Sequence, residues 1–194
     1  MTMQKIDRRA ARTRTALHKA LLSLVERKGY EEVSIRELIE EADVGRSTFY
    51  AHYAGKEDLL RSGFDNLRRE LAEAMKEEQG AVPFRFSRTM FEHAARHVGI
   101  YHAMTGSPGN VIAIGEIGRI LTEFVRRELS ETEDDGGVPR EVRIQFVVGT
   151  LVNLLTWWLE RRPDLPPAEV DAMFRRLALH GTGDILPTGM RENR

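Results

Sequence analysis

Apolar residues recur at helical intervals along almost the whole chain. Leu17, Leu21, Leu24 and Val25 stand at i, i+4, i+7 and i+8, one face of a helix. Gly29 ends that pattern just after Arg27 and Lys28, two cations suited to the negative end of a helix dipole. Ser34, followed three residues later by Glu37, has the form of a capping box, and Ile35, Leu38, Ile39 and Ala42 supply the buried stripe of a short second helix. Asp43-Val44-Gly45 turns the chain, and a third short helix is expected from Arg46 to about His52. Lys56-Glu57-Asp58 opens a longer fourth helix with Leu60, Phe64, Leu67, Leu71 and Met75 inward, ended by Gln79-Gly80 and Pro83. A fifth helix is expected from about Phe84 to Met104, with Phe91, Ala94, Ala95, Val98 and Tyr101 on its core face. After the turn Gly106-Ser107-Pro108-Gly109, residues Asn110 to about Leu129 are apolar on most sides, as in a buried helix. Ser130 to Pro139 is acidic and reads as a loop. Two more helices follow, from about Pro139 to Arg161 and from Pro166-Pro167 to about His180, and Gly181 to Arg194 reads as a loose tail. There is no alternating strand pattern and no repeat, so the fold is expected to be all-α with about nine helices.

Charge adds an asymmetry. The chain of 194 residues has a net charge of -1, yet residues 1–19 carry Lys5, Arg8, Arg9, Arg12, Arg14 and Lys19 against the single acid Asp7. A basic arm on an otherwise acidic body suits a polyanion held at one end; a merely solvated N-terminus would have the same composition. Cysteine is absent, which excludes disulfides and thiolate metal sites. Met1 to Arg9 is too polar for a signal peptide. The apolar run Phe146–Leu159 is broken by Thr150, Asn153 and Thr156 and is shorter than the ~20 residues of a membrane span. A soluble, cytoplasmic protein without membrane contact is expected.

Two short helices joined by a tight turn and preceded by a longer one make a helix-turn-helix layout. The N-terminal residues of its second helix are the ones that reach base edges in the major groove. Here they are Arg46, Ser47 and Thr48, with Tyr50 within reach of a base or a phosphate, while Phe49 faces the other way and anchors the helix on Leu21, Leu38 and Leu60.

Three segments, Val33-Ser34-Ile35-Arg36-Glu37-Leu38, Ala42-Asp43-Val44-Gly45-Arg46-Ser47-Thr48-Phe49-Tyr50-Ala51-His52-Tyr53 and Gly55-Lys56-Glu57-Asp58-Leu59-Leu60, resemble the tetracycline-repressor-type (TetR/AcrR) DNA-binding domain over roughly residues 10–65. The resemblance implies a DNA-binding domain over residues 8–55, a connecting helix over 56–79 and a C-terminal regulatory and dimerisation domain over 80–181. It implies that Ser34 caps the second helix and touches a phosphate, that Arg46, Ser47, Thr48 and Tyr50 lie in the groove, and that His52, Tyr53 and Lys56 bind phosphates. Asp43 departs from the glycine frequent at its position; aspartate tolerates a left-handed backbone better than most residues.

The helix from Arg140 to Arg161 is apolar on two faces: Val142, Phe146, Gly149 and Asn153 on one, and Ile144, Val148, Leu151, Leu155 and Trp158 on the other. One buried face serves a monomer, so the second suggests a homodimer, completed by Val170, Met173, Phe174 and Leu177 of the last helix. Phe91, His97, Tyr101, Met104, Asn153 and Trp157 are the candidate walls of a small-molecule effector pocket, although such residues more often simply fill a core. Asn153 inside an apolar helix would need a polar partner. His93 and His97 stand at i, i+4, a metal-binding spacing, but no acid joins them at suitable spacing, so neither a metal nor a cofactor is expected. No nucleophile motif, glycine-rich phosphate loop or paired-carboxylate site points to an enzyme. The expected function is a regulator, most readily a repressor, that binds a palindromic double-stranded DNA operator and is released by an effector. The alternatives are an activator without an effector, and an enzyme or ligand-binding protein with a vestigial head.

Overall fold

The computed structural model describes residues 2–76, 83–129, 137–161 and 164–181. The break at Gln79-Gly80, the acidic loop over 130–136 and the tail from residue 182 lie outside them, as do the side chains of Lys5 and Asp7. The described residues form nine helices and no strand: α1 (Thr2–Lys28), α2 (Ile35–Glu41), α3 (Arg46–His52), α4 (Lys56–Ala74), α5 (Arg85–Arg96), α6 (Val98–Met104), α7 (Pro108–Glu128), α8 (Arg140–Arg161) and α9 (Pro167–His180). They group into two compact units, a head of Met1–Arg69 with His97–Ile117 and a body of Glu70–Arg96 with Gly118–Arg194.

The head's core is the stripe that the periodicity of α1 marks. Leu17, Leu21, Leu24 and Val25 are buried with Leu38 of α2, Phe49 of α3 and Leu59 and Leu60 of α4. Gly29 ends α1 with φ 80, in the left-handed region where glycine pays no steric cost. Ser34 and Glu37 form the reciprocal capping box at the start of α2. Met104 and Ala113 are buried in the same core, with Ile100, Ala103 and Ile112 packed against it. The chain segment that closes the head thus comes from α6 and the first half of α7, beyond the intervening α5.

That segment explains why the single helix expected over 84–104 is two. Phe91 and Ala94 of α5 are buried in the body, whereas Ile100, Ala103 and Met104 belong to the head core. On one continuous helix these stripes would point in nearly opposite directions. The chain breaks at His97 (φ -119, ψ 19), and α6 restarts at Val98. A Cβ on Gly99 would lie 3.3 Å from Oε1 of Glu26, so α6 runs close along α1.

Lys56 and Tyr30 lock the head together. The Lys56 Nζ donates to the backbone oxygens of Tyr30 (2.9 Å), Glu31 (3.2 Å) and Val33 (2.8 Å), and lies 4.4 Å from the centroid of the Tyr30 ring. An ammonium has three donors, and all three are spent on the turn between α1 and α2. Burial holds this ammonium's pKa below the usual lysine value, and burial, then Glu57, pushes the Tyr30 phenol up to about 12. The same ring meets α7: a Cβ on Gly109 would stand 2.6 Å from Cγ of Tyr30. Glu116 of α7, itself buried, accepts from Arg61 of α4 at 3.0 Å.

The body packs around aromatics. Phe91 meets Trp158 edge to face at 5.7 Å, Phe86 meets Phe124 at 5.6 Å, and Phe84 meets Phe174 at 5.9 Å. Phe84 has φ 56, uncommon for a side-chain-bearing residue. Its buried ring and the bond from its N–H to Glu128 Oε1 (2.7 Å) hold it there. Ser87, buried on α5, donates to the buried Asp171 of α9, which Arg175 also engages at 3.1 Å. Arg140 donates to the oxygens of Leu129 (3.0 Å) and Arg126 (2.5 Å), satisfying the end of α7.

α8 meets the length and composition of a membrane-crossing helix, being longer than the apolar run alone suggests, yet 39% of its most apolar window is packed inside the body. Ile144, Val148, Leu151, Leu155 and Trp158 are buried as the pattern predicts. Asn153 is exposed, so its amide needs no protein partner, contrary to expectation. On α9, Val170 and Phe174 turn inward and Met173 outward.

Two substitutions test the lock. Lys56→Met keeps the aliphatic stem but leaves three carbonyls without their charged donor; it is expected to cost about 2 kcal/mol, a fall of about 4–8 °C in Tm by circular dichroism. Gly109→Ala is expected to destabilise by about 1–2 kcal/mol through overpacking on Tyr30. Gly115→Ala, in the same helix with nothing within 4 Å of the new Cβ, should stabilise by up to about 1 kcal/mol. Equal Tm changes for the two alanines would refute the Gly109 packing argument.

Candidate nucleic-acid interface

The turn before α3 has the strain that its sequence suggests. Asp43 adopts φ 50, and the Val44 N–H reaches back to Ile39 O at 3.0 Å. Gly45 is the N-cap of α3, without a side-chain cap. The helix is seven residues long, far too short to persist alone. Phe49 fixes it, fully buried among α1, α2 and α4. Helical geometry then sends the neighbouring positions outward. Arg46 and Ser47 are exposed, Tyr50 is 46% exposed, and Thr48 and His52 are half-buried. The Arg46 guanidinium carbon lies 5.5 Å from the Tyr50 ring centroid. Among the described residues, no hydrogen bond or ion pair occupies the side chains of Arg46, Ser47 or Tyr50. On α1, Arg8, Arg9, Arg12, Arg14 and Lys19 are all exposed.

Other residues with expected phosphate roles are drawn into the head itself. Tyr53 is buried, caps the end of α3 with its N–H on Phe49 O (2.9 Å), and brings its hydroxyl to 3.3 Å from His18 Nε2. Lys56 has its ammonium on three carbonyls. Its helix start is also less attractive to a phosphate than its position suggests. Glu57 and Asp58 already complement the dipole there, and Asp58 Oδ2 accepts from the Ala54 N–H at 3.0 Å. Both side chains therefore have protein partners within the head. Ser34 remains exposed, but its hydroxyl is engaged with Glu37, donating at 2.7 Å and accepting from the Glu37 N–H at 3.3 Å. The Lys28 ammonium first, and Ser34 second, hold the Glu37 carboxyl down to about 2.

Two positioning residues have no signal in the local pattern. His18 lies on the flank of the α1 stripe, between Tyr53 and Ser62 Oγ (3.1 Å), partners 35 and 44 residues away. Burial lowers its pKa, against the pull of Asp65 and with a smaller push from Arg14. Tyr30 follows a helix-ending glycine and reads locally as an ordinary turn aromatic; its role depends on Lys56 and Gly109, which approach only in the fold.

The six candidate effector residues are divided between the two units. Phe91 is core of the body, against Trp158. Asn153 and Trp157 stand exposed on α8. His97, Tyr101 and Met104 belong to the head, where Met104 is core and the Tyr101 hydroxyl is buried with no hydrogen-bond partner among the described residues. Burial raises the Tyr101 pKa. His93 and His97 do not share a helix face, since α5 ends at Arg96; His93 Nδ1 faces Glu70 at 3.3 Å. Among the described residues, no three His, Cys, Asp or Glu side chains group as metal ligands.

Residues 17–62 match the model of the bacterial regulatory proteins of the tetR family, the segment that contains the whole α1 stripe, the capping box, the turn and α3. The chain is 26% identical over 176 residues to YxbF, an uncharacterized HTH-type transcriptional regulator of Bacillus subtilis (strain 168). That match takes in 84% of this chain and 44% of the longer relative, so the chain spans less than half of that protein's length. Among solved structures, a protein of Syntrophomonas wolfei assigned to the TetR family superposes with a TM-score of 0.68 at 19% identity, over 86% of this chain and 92% of that one. The transcriptional regulator FadR of Bacillus subtilis, in complex with stearoyl-CoA, superposes with a TM-score of 0.57 at 18% identity, over 86% and 98%. At such identities the two structures show a shared fold. With the family model centred on the helix-turn-helix and the fold shared with these structures, the chain is similar to the bacterial regulatory proteins of the tetR family, over residues 17–62 in sequence and over most of its length in fold.

Proposed function

We propose that the chain is a cytoplasmic DNA-binding repressor that acts as a homodimer on an inverted-repeat operator and leaves it when a small molecule binds. The observation that carries the reading is the outer face of α3. Arg46, Ser47 and Tyr50 are held outward on a helix whose other side is fixed by Phe49, an arrangement that serves nothing inside the head. Arginine and hydroxyl donors there match the acceptors of the major groove. The exposed arginines of α1 add sequence-independent affinity for phosphate.

A second copy of the chain is the partner that suits the body. Val142 (55% exposed), Phe146 (58%) and Trp157 (42%) lie in line along α8 with Gly149 and Asn153, and Met173 (42%) is exposed on α9. Large apolar side chains grouped on one face mark an association surface. A two-fold dimer would bury them and supply two recognition helices for two half-sites. Trp157 and Asn153 fit this surface better than an effector pocket.

An effector is supported by Tyr101. A buried hydroxyl without a partner costs free energy that a ligand's polar group would recover. Tyr101 lies on α6, whose Met104 is part of the head core, so a ligand that prefers a shifted α6 would bias the head between two arrangements. FadR, in complex with an acyl-CoA, shows the fold accommodating a ligand. The effector here need not be of that class.

The DNA assignment is tested by fluorescence anisotropy with a duplex from the chain's own upstream region and a shuffled duplex of equal composition. Preference for the upstream duplex is expected, and Arg46→Ala should reduce it about tenfold without lowering Tm. Equal affinity of the wild-type protein for both duplexes would remove the basis of the reading. For the dimer, Phe146→Glu is expected to give a folded monomer in sedimentation equilibrium, with weakened operator binding; an unchanged dimer would place the interface elsewhere.

A further inference from the structure

Arg46 and Tyr50 are four residues apart on α3 and so share a face of the helix. The guanidinium carbon of Arg46 lies 5.5 Å from the Tyr50 ring centroid, within range of a cation–π interaction. The Tyr50 ring is itself braced, 5.3 Å from the Phe49 ring at an interplanar angle of 87°. Phe49 is fully buried in the head core. A stack therefore runs from that core through Phe49 and Tyr50 to the guanidinium.

We propose that Tyr50 is a positioning residue for Arg46: its ring, not its hydroxyl, holds the guanidinium so that it reads guanine. The proposal rests on the reading of α3 as the helix that enters the major groove. An exposed arginine in a first helical turn otherwise samples many rotamers, and each one lost on binding weakens the complex. A guanidinium already resting on a ring loses fewer. The benefit is specific to a planar target. Guanine presents O6 and N7 side by side, and the arginine fork meets both with two parallel hydrogen bonds. A phosphate takes a charge from many directions and gains little from a fixed plane. Residue 50 then influences sequence choice without itself touching a base edge. Phenylalanine should serve there as well as tyrosine, whereas alanine should not.

The test uses the full chain and a duplex selected by the wild-type protein from a random library. Each guanine of one half-site is replaced in turn by 7-deazaguanine, which lacks the N7 acceptor. Wild-type affinity is expected to fall about tenfold at one guanine, and Arg46→Ala should be insensitive at that base. Tyr50→Phe should bind the unmodified duplex within about twofold of wild type and keep the sensitivity. Tyr50→Ala should bind about two- to fivefold more weakly, lose most of the sensitivity, and add no further loss in the Arg46→Ala background. The proposal is overturned if Tyr50→Phe binds as weakly as Tyr50→Ala, which would mean a hydroxyl contact to DNA. It is equally overturned if Tyr50→Ala keeps full sensitivity, or if no guanine distinguishes wild type from Arg46→Ala. Failure of the wild-type protein to select any sequence would instead overturn the functional reading beneath it.

Discussion

Burial of the Phe49 side chain is the constraint on which the head depends. A seven-residue helix has too few internal hydrogen bonds to repay its nucleation cost, so α3 exists only because its one large apolar side chain fits the space left by α1, α2 and α4. Once Phe49 is inside, helical geometry leaves no choice about Arg46, Ser47 and Tyr50. The outward face of α3 is thus a by-product of core packing, and its precision is that of the core. Tyr50 links the two, touching Phe49 on one side and Arg46 on the other.

A second tier of interactions sets where this helix stands. Lys56 ties the start of α4 to the turn between α1 and α2, and Tyr30 lies between Lys56 and Gly109 of α7. Met104 and Ala113 complete the same core from α6 and α7. The part of the chain that supports the recognition helix therefore includes residues far along the sequence. A displacement of α6 or α7 has a direct mechanical path to α2 and α4 within one compact unit. No chain of surface contacts is required, because the packed side chains are shared.

Lysine, tyrosine and serine near a helix-turn-helix suggest phosphate contacts, and here several of them also have partners inside the head. The Lys56 ammonium meets three carbonyls of the turn between α1 and α2, those of Tyr30, Glu31 and Val33. The Tyr53 ring is core, and its hydroxyl has His18 as a neighbour. Arg8, Arg9, Arg12 and Arg14 of α1 and Arg46 of α3 are exposed.

The sequence by itself determined which residues are helical and which face of each helix is apolar. Those are local properties, set by spacing and by end signals such as Gly29, Ser34-Glu37 and Asp43, and the two apolar faces of α8 were legible in the same way. The helix-turn-helix layout followed from them. Only the tertiary structure decided that α5 and α6 part at His97, because their stripes serve different cores. It also decided that the face of Val142, Phe146 and Asn153 is exposed and that Trp157 stands on it, and that Lys56, Tyr53, His18 and Tyr30 hold the head together. The physical reason is common to these cases. A side chain's chemistry states what it can bind, whereas its partner is whichever group the fold brings within reach, and that group stands tens of residues away in the chain.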